Sequence, residues 1–131
     1  MRNDPLEATI RTKIVKKINA RPLGAMQIRH QAGYAKKGDP DLTGSYRRVH
    51  VEIEVKRPGE VPTEIQKIRL AHWQKKGAMV AILRSVEGAD RLLDYLDSKI
   101  GPGFGFDEST PFLFDDVVEK VRKPRKKRVL H

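Results

Sequence analysis

Val49-His50-Val51-Glu52-Ile53-Glu54-Val55-Lys56 alternates without a break. In an extended chain Val49, Val51, Ile53 and Val55 point to one side, and His50, Glu52, Glu54 and Lys56 to the other. This period of two predicts a half-buried strand, with its valine and isoleucine side on a core and its charged side towards an open site. Glu54 and Lys56 are then neighbours on one face. Gly38-Asp39-Pro40-Asp41-Leu42 lies just upstream. The two stretches read as one β-hairpin, with Asp41–Thr43 as its first arm and Gly44-Ser45-Tyr46 as its turn region.

The residue types on the charged face suggest a chemistry. A carboxylate binds a hard divalent cation through oxygen. An ammonium beside it can orient a water or stabilise charge that builds on a phosphate. Together these are the parts of metal-dependent phosphodiester hydrolysis. The bland alternative is a solvated strand face with cross-strand charge pairing, which suits His50 and Glu52. Gly-Asp-Pro-Asp alone is equally at home in a plain turn.

Asp41, then Glu54-Val55-Lys56, resembles the acid…Glu-x-Lys signature of the PD-(D/E)xK nuclease superfamily, and Pro40-Asp41 supplies the literal Pro-Asp. The wider pattern is Gly-x-Pro-Asp-Leu, then Glu-Val-Lys-x-Pro-Gly, then Gln66 in the following helix. It is similar to the VRR-NUC branch in its stand-alone phage and bacterial form, over roughly residues 4–100. The resemblance implies an α/β fold with a restriction-endonuclease-like core, a mixed sheet flanked by helices. It implies Asp41, Glu54, Lys56 and Gln66 as catalytic residues. Asp41, Glu54 and the Val55 carbonyl would be metal ligands for Mg²⁺ or Mn²⁺, with Glu7 as an additional carboxylate. The implied activity is structure-selective cleavage of DNA, as in a Holliday-junction resolvase working as a homodimer on branched DNA, with a flap or nicking endonuclease as the nearest alternative. A binding module that kept the fold without catalysis is the third reading. Glu52 is left unclaimed.

The remaining elements agree with that order. Asp4-Pro5-Leu6-Glu7 is a helix start, with Asp4 as cap, Pro5 in the first turn and Glu7 three residues on. Ile10, Ile14 and Ile18 give that helix its apolar stripe, and Pro22 and Gly24 end it. Glu7 is open between supporting the cap and joining the site. Ala25–Arg29 reads as a short strand, and Gln31–Lys37 as a loop whose Lys36 and Lys37 could contact phosphates. Thr63-x-x-Gln66 has the capping-box form at the head of a helix that stops at Gly77, so a helix cap is a sound competing reading for Gln66. Gln66, Leu70 and Trp73 share a face of that helix, and Trp73 reads as core rather than a base-stacking platform. Ala78–Leu83 is an apolar strand and Gly88–Ile100 an amphipathic helix. The predicted order is α-β-β-β-α-β-α. All four phenylalanines fall between Phe104 and Phe114, a segment expected to pack on its own body or on a second subunit.

The 131 residues suit one domain. With no cysteine, disulfide and thiolate-metal chemistry are excluded. The histidines at 30, 50, 72 and 131 have no zinc-ligand spacing. No apolar run approaches a membrane span and no signal peptide is apparent, so a cytoplasmic protein of a bacterial or phage-infected cell is expected. The net charge of +10 is concentrated at one end. Residues 120–131 carry seven basic side chains, including Lys123, Arg125, Lys126, Lys127 and Arg128, and no acid. Taking those seven from 27 leaves 20 basic against 17 acidic residues over 1–119, the expected nuclease domain. The basic tail has no aromatic residue and no fixed apolar pattern, so it can neutralise phosphates but has little means of reading structure. Deleting residues 120–131 is expected to weaken binding to every DNA form by a similar factor. It should also flatten the log–log salt dependence, by about 6 if all seven charges engage. Junction and duplex affinities across a salt series check this, and selective loss of junction binding at unchanged slope would refute it.

Overall fold

The computed structural model describes residues 5–30, 35–101 and 113–117. Helix α1 (Pro5–Asn19) leads into β1 (Gly24–Ile28), β2 (Leu42–Tyr46) and β3 (Val49–Val55). Then come α2 (Glu64–Lys75), β4 (Met79–Leu83), α3 (Val86–Lys99) and β5 (Leu113–Asp115). The five strands form one mixed sheet in the order β1-β2-β3-β4-β5. β1, β2 and β3 are antiparallel neighbours, and β4 and β5 add in parallel. The predicted α-β-β-β-α-β-α order is present, with β5 added after it.

The alternation in β3 sets the layers. Val51, Ile53 and Val55 face α1 and α3, where Ile14, Ile18, Leu92, Leu93 and Leu96 close over them to make the main core. The other face is covered by α2, where Leu70 and Trp73 pack on Val80 and Ile82. β3 is therefore buried on both sides: Glu52 is 0% exposed, Glu54 1% and Lys56 9%. Apart from exposed His50, the charged side of β3 does not open to solvent as its alternation suggests, because α2 lies across it.

The hairpin turn is displaced from Gly44-Ser45-Tyr46. Those residues belong to β2, which pairs with β3 through Tyr46↔Val49, and the turn is Arg47-Arg48. Both arginines have positive φ, 49° and 69°, which matches the twist of a two-residue hairpin although neither is glycine. Arg47 Nη1 lies 3.3 Å from Asp97 Oδ1 on α3, which ties the turn to the body. The apolar alternation of β3 extends over these residues' neighbours, and no Asn-Gly or Asp-Gly pair marks the turn. The capping box at α2 is present: Thr63 Oγ1 accepts from the Gln66 N–H, and Gln66 Oε1 accepts from the Thr63 N–H at 2.8 Å. Helix α3 starts two residues earlier than its leucine pattern indicates, because Ser85 caps it through the Gly88 N–H.

Buried Arg84 ties β5 to the chain that follows β3. Its Nε donates to the Glu60 carbonyl at 2.8 Å, and its Nη1 donates to the Asp116 carbonyl at 3.1 Å and to the Asp115 carboxylate. Of the predicted phenylalanine segment only Phe114 is among the described residues; its ring packs on Tyr95 of α3, 5.3 Å between centroids. Phe104, Phe106 and Phe112 lie outside them, as do Asp4 and the basic tail.

Two glycines separate backbone strain from crowding. Gly38 (φ +87°) sits before Asp41, and an added Cβ would lie 3.0 Å from the Ile65 side chain and 3.1 Å from its backbone. Gly77 (φ +94°) ends α2 with nothing within 4 Å. Gly77→Ala is expected to cost about 1 kcal/mol, the conformational term alone. Gly38→Ala should cost more, about 2–3 kcal/mol, since crowding against α2 adds to that term. Urea unfolding of the two variants tests the order; equal losses would refute it.

Candidate active site

Four side chains that the sequence singled out meet where β3 ends, and a fifth, Glu7, is coupled to them electrostatically. Asp41 stands just before β2, and its Oδ2 accepts the Val55 N–H at 3.0 Å, pinning it beside the end of β3. Glu54 and Lys56 extend from the same face of β3, towards α2. The Lys56 N–H continues the ladder to Leu83 at 2.9 Å. Gln66 arrives from the first turn of α2, and its Nε2 donates to Glu54 Oε1 at 3.3 Å. Gln66 is the cap residue and also reaches the site, since its carbonyl end serves the capping box and its amide end touches Glu54. Glu7 comes from the first turn of α1. Its carboxyl is electrostatically coupled to Asp41 and Lys56.

The electrostatics are short of positive charge. Burial, the charge of Asp41 and a hydrogen bond with Asp41 push the Glu54 carboxyl from an ordinary 4.5 up to about 10, and Lys56 offsets this only in part. Burial, then Asp41, also raises Glu7. Glu54 Oε2 is buried without a hydrogen-bond partner. A carboxylate pair with an orphaned buried oxygen, beside the backbone of Val55, is a hard-oxygen donor set of the kind a divalent cation satisfies. The residues present therefore fit a hard divalent cation. Among the described residues no group of three His, Cys, Asp or Glu side chains is set to hold a metal, so the protein donors converge as a pair with Glu7 standing off.

Between Glu7 and Asp41 stands a residue the sequence reading missed. Arg11 lies one turn after Glu7 on α1, and its Nη1 stands 4.0 Å from Glu7 Oε1 and 3.7 Å from Asp41 Oδ1. The four-residue spacing of Glu7 and Arg11 was the available signal.

A second polar cluster lies beside this one under α2. Fully buried Glu52 receives the Arg29 guanidinium and the Thr43 hydroxyl, and His50 Nε2 lies 2.8 Å from its Oε2. Arg69 Nε and Trp73 Nε1 donate to Asp39 at 2.7 and 3.1 Å. Arg29 also covers the Trp73 ring at 4.9 Å. Trp73 is thus a core-side residue, as expected. Lys36 and Lys37 are exposed on the loop ahead of Asp41 and do not enter the carboxylate site. Lys123, Arg125, Lys126, Lys127 and Arg128 lie outside the described residues.

No protein-family model matches the chain, and no curated protein matches its sequence. A solved structure described as a VRR_NUC domain protein superposes with a TM-score of 0.55 at 19% identity, covering 91% of this chain and 100% of that one. The chain therefore shares the α/β fold of that VRR_NUC domain protein, which among the described residues is a mixed five-stranded sheet flanked by three helices. No helix among the described residues is long and apolar enough to cross a membrane.

The state of Glu54 gives a pH prediction. Its folded-state value lies above the ordinary one, so the stability tied to its proton is complete below about 4.5 and is lost as pH rises towards about 10. In chelator, stability should fall with pH across that window as the group is forced to ionise in place. Glu54→Gln should remove that slope and melt higher than the wild type at alkaline pH. Thermal unfolding in chelator from acid to alkaline buffer checks this; parallel curves for the two proteins would refute it.

Proposed function

We propose that this chain is a Mg²⁺- or Mn²⁺-dependent endodeoxyribonuclease that cuts branched DNA, with a Holliday junction as its best substrate. The observation that carries the reading is buried Glu54, with its unpartnered oxygen, placed beside half-buried Asp41 and beside Lys56. Asp41, Glu54 and the Val55 carbonyl would hold the ion, with Glu7 as a further donor. When bound, the ion supplies a water of lowered pKa and offsets charge on the phosphate. Lys56 donates hydrogen bonds to the attacking water and to a phosphate oxygen, which orients the first and stabilises the second. Gln66 fixes the rotamer of Glu54 from the other side. The Val55 N–H fixes Asp41, so both carboxylates are held before substrate arrives. The fold shared with a VRR_NUC domain protein supports a nuclease reading in general.

DNA would approach across the exposed Lys36-Lys37 loop, with residues 120–131 adding salt-sensitive affinity. A junction offers two symmetric cuts, which a two-fold homodimer would match. A cytoplasmic site of action follows from the DNA substrate.

The test is a panel of labelled DNAs (four-way junction, flap, fork, duplex, single strand) with Mg²⁺ or Mn²⁺. Paired symmetric nicks in the junction are the expected result. Cutting of the flap alone would replace the resolvase with a flap endonuclease, and binding without cleavage would refute the enzyme. Lys56→Ala is expected to lower single-turnover cleavage by roughly 10²–10⁴-fold while DNA binding persists. Near-normal cleavage by a folded Lys56→Ala protein would remove the assigned role.

A further inference from the structure

Arg11 is held unlike the other arginines that reach into this chain's packed regions. Arg84 places its Nε on the Glu60 carbonyl and its Nη1 on a carbonyl and a carboxylate. Arg69 Nε sits 2.7 Å from an Asp39 carboxylate oxygen. Arg11 is only 15% exposed, yet its two ion pairs to Glu7 and Asp41 are long, at 4.0 and 3.7 Å, and its Nε is buried without a partner. A buried guanidinium normally finds well-made hydrogen bonds. This one stands between Glu7 and Asp41 with its Nε donor left over.

That placement has two consequences. Arg11 supplies positive charge to carboxylates that otherwise crowd one another, so it competes with any cation drawn to them. Its unspent Nε donor also suits an oxyanion that has not yet arrived, and a phosphate accepts a guanidinium's paired N–H groups better than a carboxylate nearly 4 Å away does. We propose that Arg11 is a built-in counter-cation that weakens divalent-metal binding in the free protein and turns to a DNA phosphate when substrate binds. Metal and DNA binding are thereby coupled. The inference rests on the nuclease reading and adds to it a positioning residue that delays metal loading until a phosphate is present. By linkage, what DNA does for metal affinity, metal does equally for DNA affinity.

The test measures binding rather than turnover. Mn²⁺ affinity of the free full-length protein is read from the paramagnetic resonance of unbound Mn²⁺, for wild type, Arg11→Gln and Arg11→Lys, with circular dichroism as the check on folding. Removing a unit charge a few ångströms from a divalent ion is worth about ten-fold in affinity even at water-like dielectric. Arg11→Gln should therefore bind Mn²⁺ about ten-fold more tightly, and Arg11→Lys, which keeps the charge, should stay near wild type. In EDTA, where no cleavage occurs, Arg11→Gln should bind duplex DNA several-fold more weakly, as loss of a phosphate contact requires. Unchanged or weaker Mn²⁺ binding by a folded Arg11→Gln protein overturns the proposal and leaves the nuclease reading in place. Absence of Mn²⁺ binding by wild type and both variants overturns the two together. If Arg11→Gln fails to fold, Arg11→Met carries the same expectation, since it keeps the aliphatic stem and removes the charge.

Discussion

β3 has to bury both of its faces, and one of them carries two carboxylates. That constraint organises the molecule. Glu52 and Glu54 stand two residues apart on the same side of the same strand, each at most 1% exposed. Burying a charge without partners is costly, and the fold treats the two in opposite ways. Glu52 is supplied with Arg29, Thr43 and His50. Glu54 receives one long hydrogen bond from Gln66, retains an orphaned oxygen and faces another acid. A saturated carboxylate reads as architecture, and an unsaturated one beside a like charge as a place kept for something else.

The saturated cluster sets the unsaturated one in position. Asp39 is gripped by Arg69 and Trp73 of α2 and by the Lys36 N–H, which anchors the loop that delivers Asp41 two residues later. Arg29 spans from Glu52 towards that loop, and its Nε donates to the Pro40 carbonyl at 3.0 Å. The backbone that carries Asp41 is therefore fixed from β1, from β3 and from α2. Placement of this kind suits a group whose distance to a partner must hold to fractions of an ångström.

The sequence carried the order of the elements, the capping box and the shared face of Glu54 and Lys56, because each depends on spacing within one short segment, while the grouping of Asp41 and Gln66 with them was legible only through the resemblance. Alternation places Glu54 and Lys56 on one face wherever the strand ends up. Burial of that face was illegible, since α2 docks there through Leu70 and Trp73, which also read as an ordinary amphipathic stripe. The hairpin turn was misplaced because Arg47 and Arg48 take up left-handed backbone that normally announces itself through glycine or asparagine. Arg84 and the Glu52 cluster were missed for a common reason. Their partners are 23 to 32 residues away or on another strand, beyond any local pattern.

Gln66 shows why helix placement and site geometry cannot be separated here. One amide group closes the first turn of α2 through Thr63 and reaches Glu54 with its other end. The helix N-terminus is thus held at the distance that lets the amide span both contacts, and the register of α2 over the sheet follows from that distance. Leu70, one turn further on, then falls over Val80 and Ile82, and Trp73 reaches Asp39. The second core, the loop anchor and the candidate site share one reference point. A change that shifts α2 along its axis would disturb Asp41 through Asp39 and Glu54 through Gln66 together, while the main core on the opposite face of the sheet stayed packed. The scaffold under α1 and α3 and the chemistry under α2 are on this account separable in stability, joined chiefly through β3 and the Glu7–Arg11 turn of α1.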